Sequence, residues 1–322
     1  MLDFCIIGSG ISGSTIAKLL SKNYSVLVLD KARGPGGRAS NKRLKKNESF
    51  DHGLQYISPK SQEFKKFIHG LYKKNILKIW GGNHIDFSFK KQSLSAKYIG
   101  LKGNNAISKF NLKKIKQHYN ASVKKILFRK NYWELRLQNN KIYNAKSIIL
   151  TCPFPQIKSL VKNQIKKDLL KAKIKMDPNI TLMIAIKQKK ILPISSIKLN
   201  DEIIAWIAYE NSKKRFRSSR GLWTIQSTSS WAKNNINLIK KNKRVENFIL
   251  KHFLKLTGFK KKDILFKKSH GWRYSYNFEG SKYKSYWDKK KKLGICADWF
   301  IGGNIESSWE SALNLFYKIS KA

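Results

Sequence analysis

The chain has 322 residues, 41% of them hydrophobic and 12% aromatic, which is enough apolar material for one large or two modest cores and excludes a disordered chain. Lysine and arginine number 67 against 19 acids, a formal net charge of +48. No apolar run reaches the length of a membrane span, and Cys5, Cys152 and Cys296 are widely spaced with no C-x-x-C pair, so neither a disulfide framework nor a zinc or dithiol pattern is present.

Such thiols suit a reducing compartment, and a cytoplasmic protein is expected. The charge has two readings. One is a footprint for nucleic acid or an anionic membrane. The other is a sequence-wide bias of an AT-rich coding sequence, since Lys, Ile and Asn are all abundant. A binding footprint clusters, whereas these lysines are spread along the chain, so neither nucleic acid nor membrane is an expected partner. A long-range pull on anionic substrates follows in either case.

In chain order, residues 2–7 form an apolar run long enough for one buried strand. No basic region precedes it and it runs directly into glycines, so a strand is expected rather than a signal peptide. Gly8, Gly10 and Gly13 follow in G-x-G-x-x-G spacing, then a helical apolar face with Ile16, Ala17, Leu19 and Leu20, then a second apolar strand over 24–29 ending at Asp30. This is the pattern of a βαβ dinucleotide-binding unit. Gly8 permits the tight turn, Gly10 lets backbone N–H groups approach a pyrophosphate, and Gly13 lets the helix pack close to the sheet. The helix N-terminus offers unpaired N–H groups and partial positive charge to the anion. Asp30, 17 residues past Gly13, can accept hydrogen bonds from ribose hydroxyls and would repel a phosphate there.

Residues 31–38 read as a loop in which Arg33 and Arg38 are donors suited to phosphate. Residues 50–57 read as a bend followed by a short strand, with Gly53 allowing a backbone to pass close to a flat ring. A helix is expected over 61–75, strand over 80–89, a loop over 98–106 opening a helix with Ile107, Phe110 and Leu112, and strands through 121–143. A buried strand over 147–152 and a helix over 156–170 follow. Strands are expected at 181–186, 203–209 and 221–226, and a basic helix over 242–256 with Val245, Phe248, Ile249, Phe253 and Leu256 on its apolar face. An aromatic extended stretch is expected at 270–278, a strand at 294–300 and a closing helix over 307–319.

Together, IIGSGISGSTIAKLL, LDKARGPGGRAS, FDHGLQYIS, IILTCPFPQ, HGWRY and GICADWFIGGNIESSWESA resemble the flavin-dependent amine oxidase superfamily, and within it the renalase-like NAD/FAD-dependent oxidoreductases. The resemblance runs from end to end of the chain. It implies an α/β fold: a Rossmann-like FAD-binding domain of the glutathione-reductase/p-hydroxybenzoate-hydroxylase type, with a parallel sheet, and an interleaved antiparallel-sheet substrate domain roofing the flavin. The FAD-binding domain would take 1–60, 101–160 and 276–322, and the substrate domain 61–100 and 161–275. The implied cofactor is FAD. Gly8, Ser9, Gly10, Ile11, Ser12 and Gly13 would cradle its pyrophosphate. Asp30, where the family usually has Glu, would serve the ribose. Lys31, Arg33, Gly37 and Arg38 would follow around the adenosine and phosphates. Gly53, Leu54 and Gln55 match the stretch near the isoalloxazine, and Val123 a strand residue that meets the adenine. Asp298 matches the acid of a C-terminal G-D pair, here preceded by Ala297. Asn304 and Ile305 open the last helix, whose N-terminus would face the flavin.

The implied reaction is hydride transfer to flavin from a dihydro-NAD(P)-type substrate, an anionic dinucleotide, with oxygen as acceptor. Such a substrate already holds a transferable hydride and needs no strong general base. No Ser-His-Asp or metal constellation is visible, so no metal and no catalytic residue is assigned. The pocket candidates are Tyr56, Trp206, Tyr209, His270, Arg273 and Tyr274, equally readable as sheet core. An amine oxidase or polyene desaturase is the alternative enzyme. A basic FAD-fold protein that binds nucleic acid or membrane without turnover is the alternative of a different class.

Overall fold

The structure is a computed structural model and describes residues 1–44, 48–87, 95–161, 164–165, 174–188, 192–239 and 242–321. The opening apolar run forms strand Leu2–Ile7, and its alternation supplies both faces of a sheet. Phe4 and Ile6 pack with Val26 and Val28 on one side, with residues of the helices Ile11–Leu20, Ala106–Leu112 and Ile305–Ser320. Cys5 and Ile7 pack with Leu27 and Leu29 on the other, with Trp133, Leu135, Phe154 and Trp299. The strand order is Tyr286–Asp288, Leu293–Ile295, Ile142–Leu150, Leu2–Ile7, Val26–Leu29, Lys116–His118. Neighbours are parallel except in the first pair. A hairpin of Val123–Phe128 and Trp133–Leu137 joins antiparallel at Ile142–Leu150.

Strand Ile142–Leu150 unites what the sequence divides into a strand at Ile142 and another over 147–152. Its first half alternates in exposure beside the hairpin, with Trp133 opposite Ala145. Its second half is continuously buried between Leu2–Ile7 and Leu293–Ile295. One strand carries two hydrophobic patterns, and two patterns read as two strands.

The chain divides into two compact units. One comprises Met1–Arg38, Asn105–Met176 and Tyr276–Ala322, the other Ala39–Asn104 and Asp177–Ser275. The divisions at 38/39 and 176/177 stand where the sequence reading has 60/61 and 160/161.

The second unit holds a six-stranded sheet in the order Ile264–Tyr276, Asp177–Lys187, Arg220–Ser227, Ile204–Tyr209, Ser196–Lys198, His84–Asp86. Alternate residues Ile180, Leu182, Ile184, Ile207, Tyr209, Trp223 and Ile225 pack on one face under helix Lys243–Thr257. That helix starts where the Asn242 side chain accepts from Arg244 N and stops at Gly258, in the left-handed conformation. Its buried stripe is Val245, Ile249, Leu250 and Phe253. Phe248 and Leu256, expected on that stripe, are 52% and 46% exposed.

Smaller departures are local. Residues 50–57 are a strand, Ser49–Asp51, followed by irregular chain, the reverse of the expected order. The loop over 98–106 begins with strand Tyr98–Gly100, paired to Leu77–Ile79. Of 294–300 only the first residues, in Leu293–Ile295, are strand, because Asp298–Phe300 tightens into a 3-10 turn. Of the strand expected over 80–89, His84–Asp86 forms, and Phe89 lies outside the described residues. The helix expected over 156–170 starts at Phe154 and is described to Val161, and Leu170 also lies outside the described residues.

Candidate dinucleotide site and a polar sheet face

In the first unit, strand Leu2–Ile7 ends in Gly8, whose φ of 110° suits only glycine. A Cβ on Gly13 would lie against the Gly8 carbonyl, 2.9 Å from its carbon, so the helix Ile11–Leu20 can approach the strand only without one. Thr151 closes the turn from the next strand, its Oγ1 donating to the carbonyl of Ile7 at 2.9 Å and its N–H to the same carbonyl at 3.0 Å. Glycine spacing does not mark Thr151, although it lies in the IILTCPFPQ stretch that carries part of the resemblance.

Helix Ile11–Leu20 has Gly10 as N-cap and no side-chain cap. The helices Gln62–Lys73, Lys243–Thr257 and Ile305–Ser320 are instead capped by Ser61, Asn242 and Asn304. The first-turn N–H groups, Ile11, Ser12 and Gly13 among them, are therefore left for an outside acceptor. The Ser12 hydroxyl donates to the Ser308 carbonyl at 2.9 Å, which brings the first turns of the first and last helices together. Ile305 is buried at the start of that last helix, and Asn304 accepts from Ser307 N at 2.8 Å.

Asp30 faces back onto the glycine turn. Its Oδ2 accepts from Ser9 N at 2.7 Å and from Ser9 Oγ at 2.5 Å, and its Oδ1 accepts from Ala32 N at 2.8 Å. Both Ser9 donors are thus spent on Asp30, and the N–H groups facing outward begin at Gly10. A carboxylate has about four acceptor positions, so three bonds orient it and leave capacity. The Ala121 N–H reaches the Asp30 carbonyl at 2.8 Å, which lays the approach to Val123 alongside. Tyr119 stands close enough that burial and the Asp30 charge push its hydroxyl up to about 12.

The loop after Asp30 docks on the same turn. Gly36 N donates to the Ser9 carbonyl at 3.0 Å, and a Cβ on Gly37 would come 3.2 Å from the Gly10 Cα. Lys31 and Arg33 are exposed. Arg38, expected on phosphate, makes a bidentate pair with Asp298, at 2.8 and 2.5 Å. Two residues assigned separately to the cofactor hold each other, fixing the loop to the 3-10 turn before the last helix.

The remaining candidates lie in the second unit. Gly53, Leu54 and Gln55 follow strand Ser49–Asp51 as irregular backbone whose carbonyls are held by side-chain amides. Gly53 accepts from Gln226 at 2.7 Å, and Leu54 and Gln55 accept from Asn104 at 2.7 and 3.0 Å.

The six pocket candidates split by strand alternation. Tyr56 and Trp206 come together, ring centroids 5.7 Å apart, with Lys97 Nζ 5.4 Å from the Tyr56 ring. His270 meets His52 at 5.0 Å and Trp272 at 4.2 Å, and Trp272 Nε1 donates to the His52 carbonyl. Tyr274 shares their parity along Ile264–Tyr276. Tyr209 is on the opposite face, 2% exposed and stacked on Trp223 at 4.6 Å. Arg273 is exposed and donates to Asn237 at 2.8 Å, on the side where a Cβ at Gly271 would strike Ile236. Period-two alternation therefore removes Tyr209 and Arg273 from the set.

The face that keeps Tyr56 and Trp206 also holds a buried ionic network that no spacing in the sequence discloses. Lys213 Nζ lies 2.9 Å from Asp51 and 3.0 Å from Glu210, all three side chains fully buried. Arg215, its side chain 3% exposed, pairs with Asp51 as well. Burial pushes the Asp51 carboxyl up, but Arg215 and Lys213 outweigh it and hold it below the usual range. Burial raises Glu210, with Asp51 adding to it against Lys213. Beside this network, His52 is lowered to about 4, first by burial and then by His270.

A glycine turn, an uncapped helix and an acid thus stand in one place. Among the described residues no His, Cys, Asp or Glu cluster could hold a metal, and no helix is long and apolar enough to cross a membrane. Residues 6–71 match the model of the NAD(P)-binding Rossmann-like domain. An L-amino acid dehydrogenase of Synechocystis is 40% identical over 63 residues, 19% of this chain and 13% of that relative. The chain spans less than a quarter of the length of the curated relatives it matches. A chain assigned as protoporphyrinogen oxidase from Exiguobacterium superposes with a TM-score of 0.78 at 10% identity, covering 99% of both chains. Putrescine oxidase bound to putrescine superposes at 0.69 and 11% identity, covering 100% of this chain and 99% of that one. The chain is a mixed α/β protein with a Rossmann-like dinucleotide-binding domain, in the fold shared by these two solved structures.

Proposed function

We propose that the chain is an FAD-dependent oxidoreductase that accepts a hydride from a dihydro-NAD(P)-type substrate and passes electrons to oxygen. The observation that carries the cofactor is the uncapped helix behind Gly8, Gly10 and Gly13, with Asp30 anchored beside it. The residues fit the group: N–H groups of residues 10–13 suit a pyrophosphate, Asp30 a ribose, and Val123 an adenine edge. Lys31 and Arg33 add positive charge along the phosphates, and the N-terminus of Ile305–Ser320 favours negative charge near it. Gly53, Leu54 and Gln55 keep the ring-side role that the resemblance gives them. When bound, FAD supplies a flavin ring that accepts two electrons.

The protein's own residues bind and orient. Tyr56 and Trp206 offer flat faces for a nicotinamide or adenine ring, and Lys97 beside them attracts an anionic dinucleotide and repels an ammonium. His52, held neutral by burial, is a polar group without a competing charge.

An amine oxidase is the second reading, favoured by the likeness to putrescine oxidase and by the amino acid dehydrogenase relative. Anaerobic titration of the purified protein separates them. The expected result is a yellow protein bleached by dihydro-NAD isomers made by borohydride reduction. Bleaching by putrescine or L-amino acids alone replaces the substrate with an amine. A colourless protein that refuses added FAD removes the cofactor and both readings.

A further inference from the structure

The second unit contains a cavity of about 360 Å³, lined by several charged side chains, that has no part in the reading above. Among the described residues its cations are Arg43, Lys102 and Arg215, against one carboxylate, Glu48. That carboxylate is already neutralised: Arg220 pairs with it and Ser218 Oγ donates to it at 2.6 Å. Arg215 is the buried donor. Three of its five N–H groups are placed, on Gly100 O at 2.9 Å, on Asp51, and on Asn104 Oδ1 at 3.0 Å. One N–H on each terminal nitrogen has no acceptor among the described residues. Asp51, its ion partner, is shared with Lys213, which also pairs with Glu210, so Arg215 does not have that carboxylate to itself.

The rest of the wall matches. Asn41 Nδ2 donates to Ser49 Oγ at 3.2 Å, which leaves the Ser49 hydroxyl proton to point elsewhere. Phe216 supplies an apolar wall. Arg43 and Lys102 are exposed and make no ion pair among the described residues. A guanidinium with two spare donors at low exposure, a hydroxyl donor and two unpaired cations at the rim form a receptor for an oxyanion.

We propose that this cavity binds a small phosphate- or carboxylate-bearing metabolite through Arg215, Ser49, Arg43 and Lys102, with Phe216 against its carbon skeleton. The site takes its ligand independently of the dinucleotide turn.

The test is calorimetric titration of the full chain, saturated with FAD so that the glycine turn is filled, with inorganic phosphate and, separately, with benzoate, at constant ionic strength. The comparison is between Arg43→Ala/Lys102→Ala and a control, Lys65→Ala/Lys66→Ala, which removes the same charge from the exposed side of helix Gln62–Lys73. Saturable binding of either anion, weakened tenfold or more in the first variant and less than twofold in the control, supports the site. Tighter binding of benzoate identifies carboxylates with a ring as its class, and tighter phosphate identifies phosphorylated ligands. Equal weakening in both variants assigns the effect to net charge and overturns the proposal, as does the absence of saturable binding. A chain that refuses FAD is titrated without it, since the difference between the two variants reads the cavity alone. The altered residues are exposed, so loss of folding does not mimic the expected result.

Discussion

The glycine turn of the first unit and the polar face of the second are built by different means. The turn is made of backbone: Gly8, Gly10 and Gly13 act by lacking side chains, and Ser9, Asp30 and Thr151 fix a local shape. The face is made of side chains from segments far apart, with Asp51, Asn104, Glu210 and Arg215 meeting in one network. A backbone site fails when an atom is added, whereas a side-chain network fails when a charge is removed.

Adding an atom gives the largest expected effect. Gly13→Val places branched carbon on the Gly8 carbonyl, and neither strand nor helix can yield without breaking the sheet register. The expected outcome is no soluble protein with a flavin spectrum, checked by yield, circular dichroism and absorbance.

Removing a charge comes next. Lys213→Met leaves Asp51 and Glu210 without the cation they share and is expected to cost about 3–5 kcal/mol in urea unfolding. Glu210→Gln, in contrast, leaves Lys213 paired with Asp51 and keeps an acceptor for Thr224, so a smaller loss, about 1 kcal/mol, is expected. Equal losses in the two variants would show that the Glu210 charge matters to the network as much as the Lys213 charge does.

His52 sharpens the contrast through pH. Its folded value is lowered from 6.5 to about 4, so between those values the unfolded chain binds the proton and the folded chain does not. Stability therefore falls as pH drops through that window, by about 3 kcal/mol from this residue. His52→Phe keeps a ring against Trp272 and should flatten the slope between pH 6.5 and 4. An unchanged slope would place the titration elsewhere.

The difference between backbone and side-chain sites also decides what is legible in the sequence. Gly8, Gly10, Gly13 and Asp30 lie within one βαβ unit, and local spacing sets their geometry. The network is not local: Asp51 and Arg215 are 164 residues apart, and nothing beside either marks the partner. Tyr209 and Arg273 enter the pocket set by residue type alone, since the parity that excludes them depends on which face the helix Lys243–Thr257 covers. Phe248 and Leu256 fit a helical stripe but overshoot its width, because Leu250 occupies the buried edge instead.

At the glycine turn itself, Asp30→Ala removes three hydrogen bonds that hold Ser9 and Ala32, together with the proposed ribose contact. The dissociation constant for FAD is expected to rise about 10- to 100-fold, the equivalent of one or two charge-assisted hydrogen bonds. Binding titration with the apoprotein measures it. Weakening without loss of the fold separates this acid from Gly13.

The smallest effects test the alternation itself. Trp206→Ala removes one of two rings that meet on the polar face and should raise KM for a dihydro-NAD substrate several-fold, about 1 kcal/mol of aromatic contact, with kcat little changed. Arg273→Ala removes a charged side chain from the same sheet, yet its guanidinium bonds Asn237 on the helix-covered side. Steady-state kinetics should give an unchanged KM. Charge alone predicts the opposite ranking, since an arginine attracts an anionic dinucleotide more strongly than an indole does. The pair therefore sets position against residue type: if Arg273→Ala raised KM more than Trp206→Ala, the face assigned to substrate would be the wrong one.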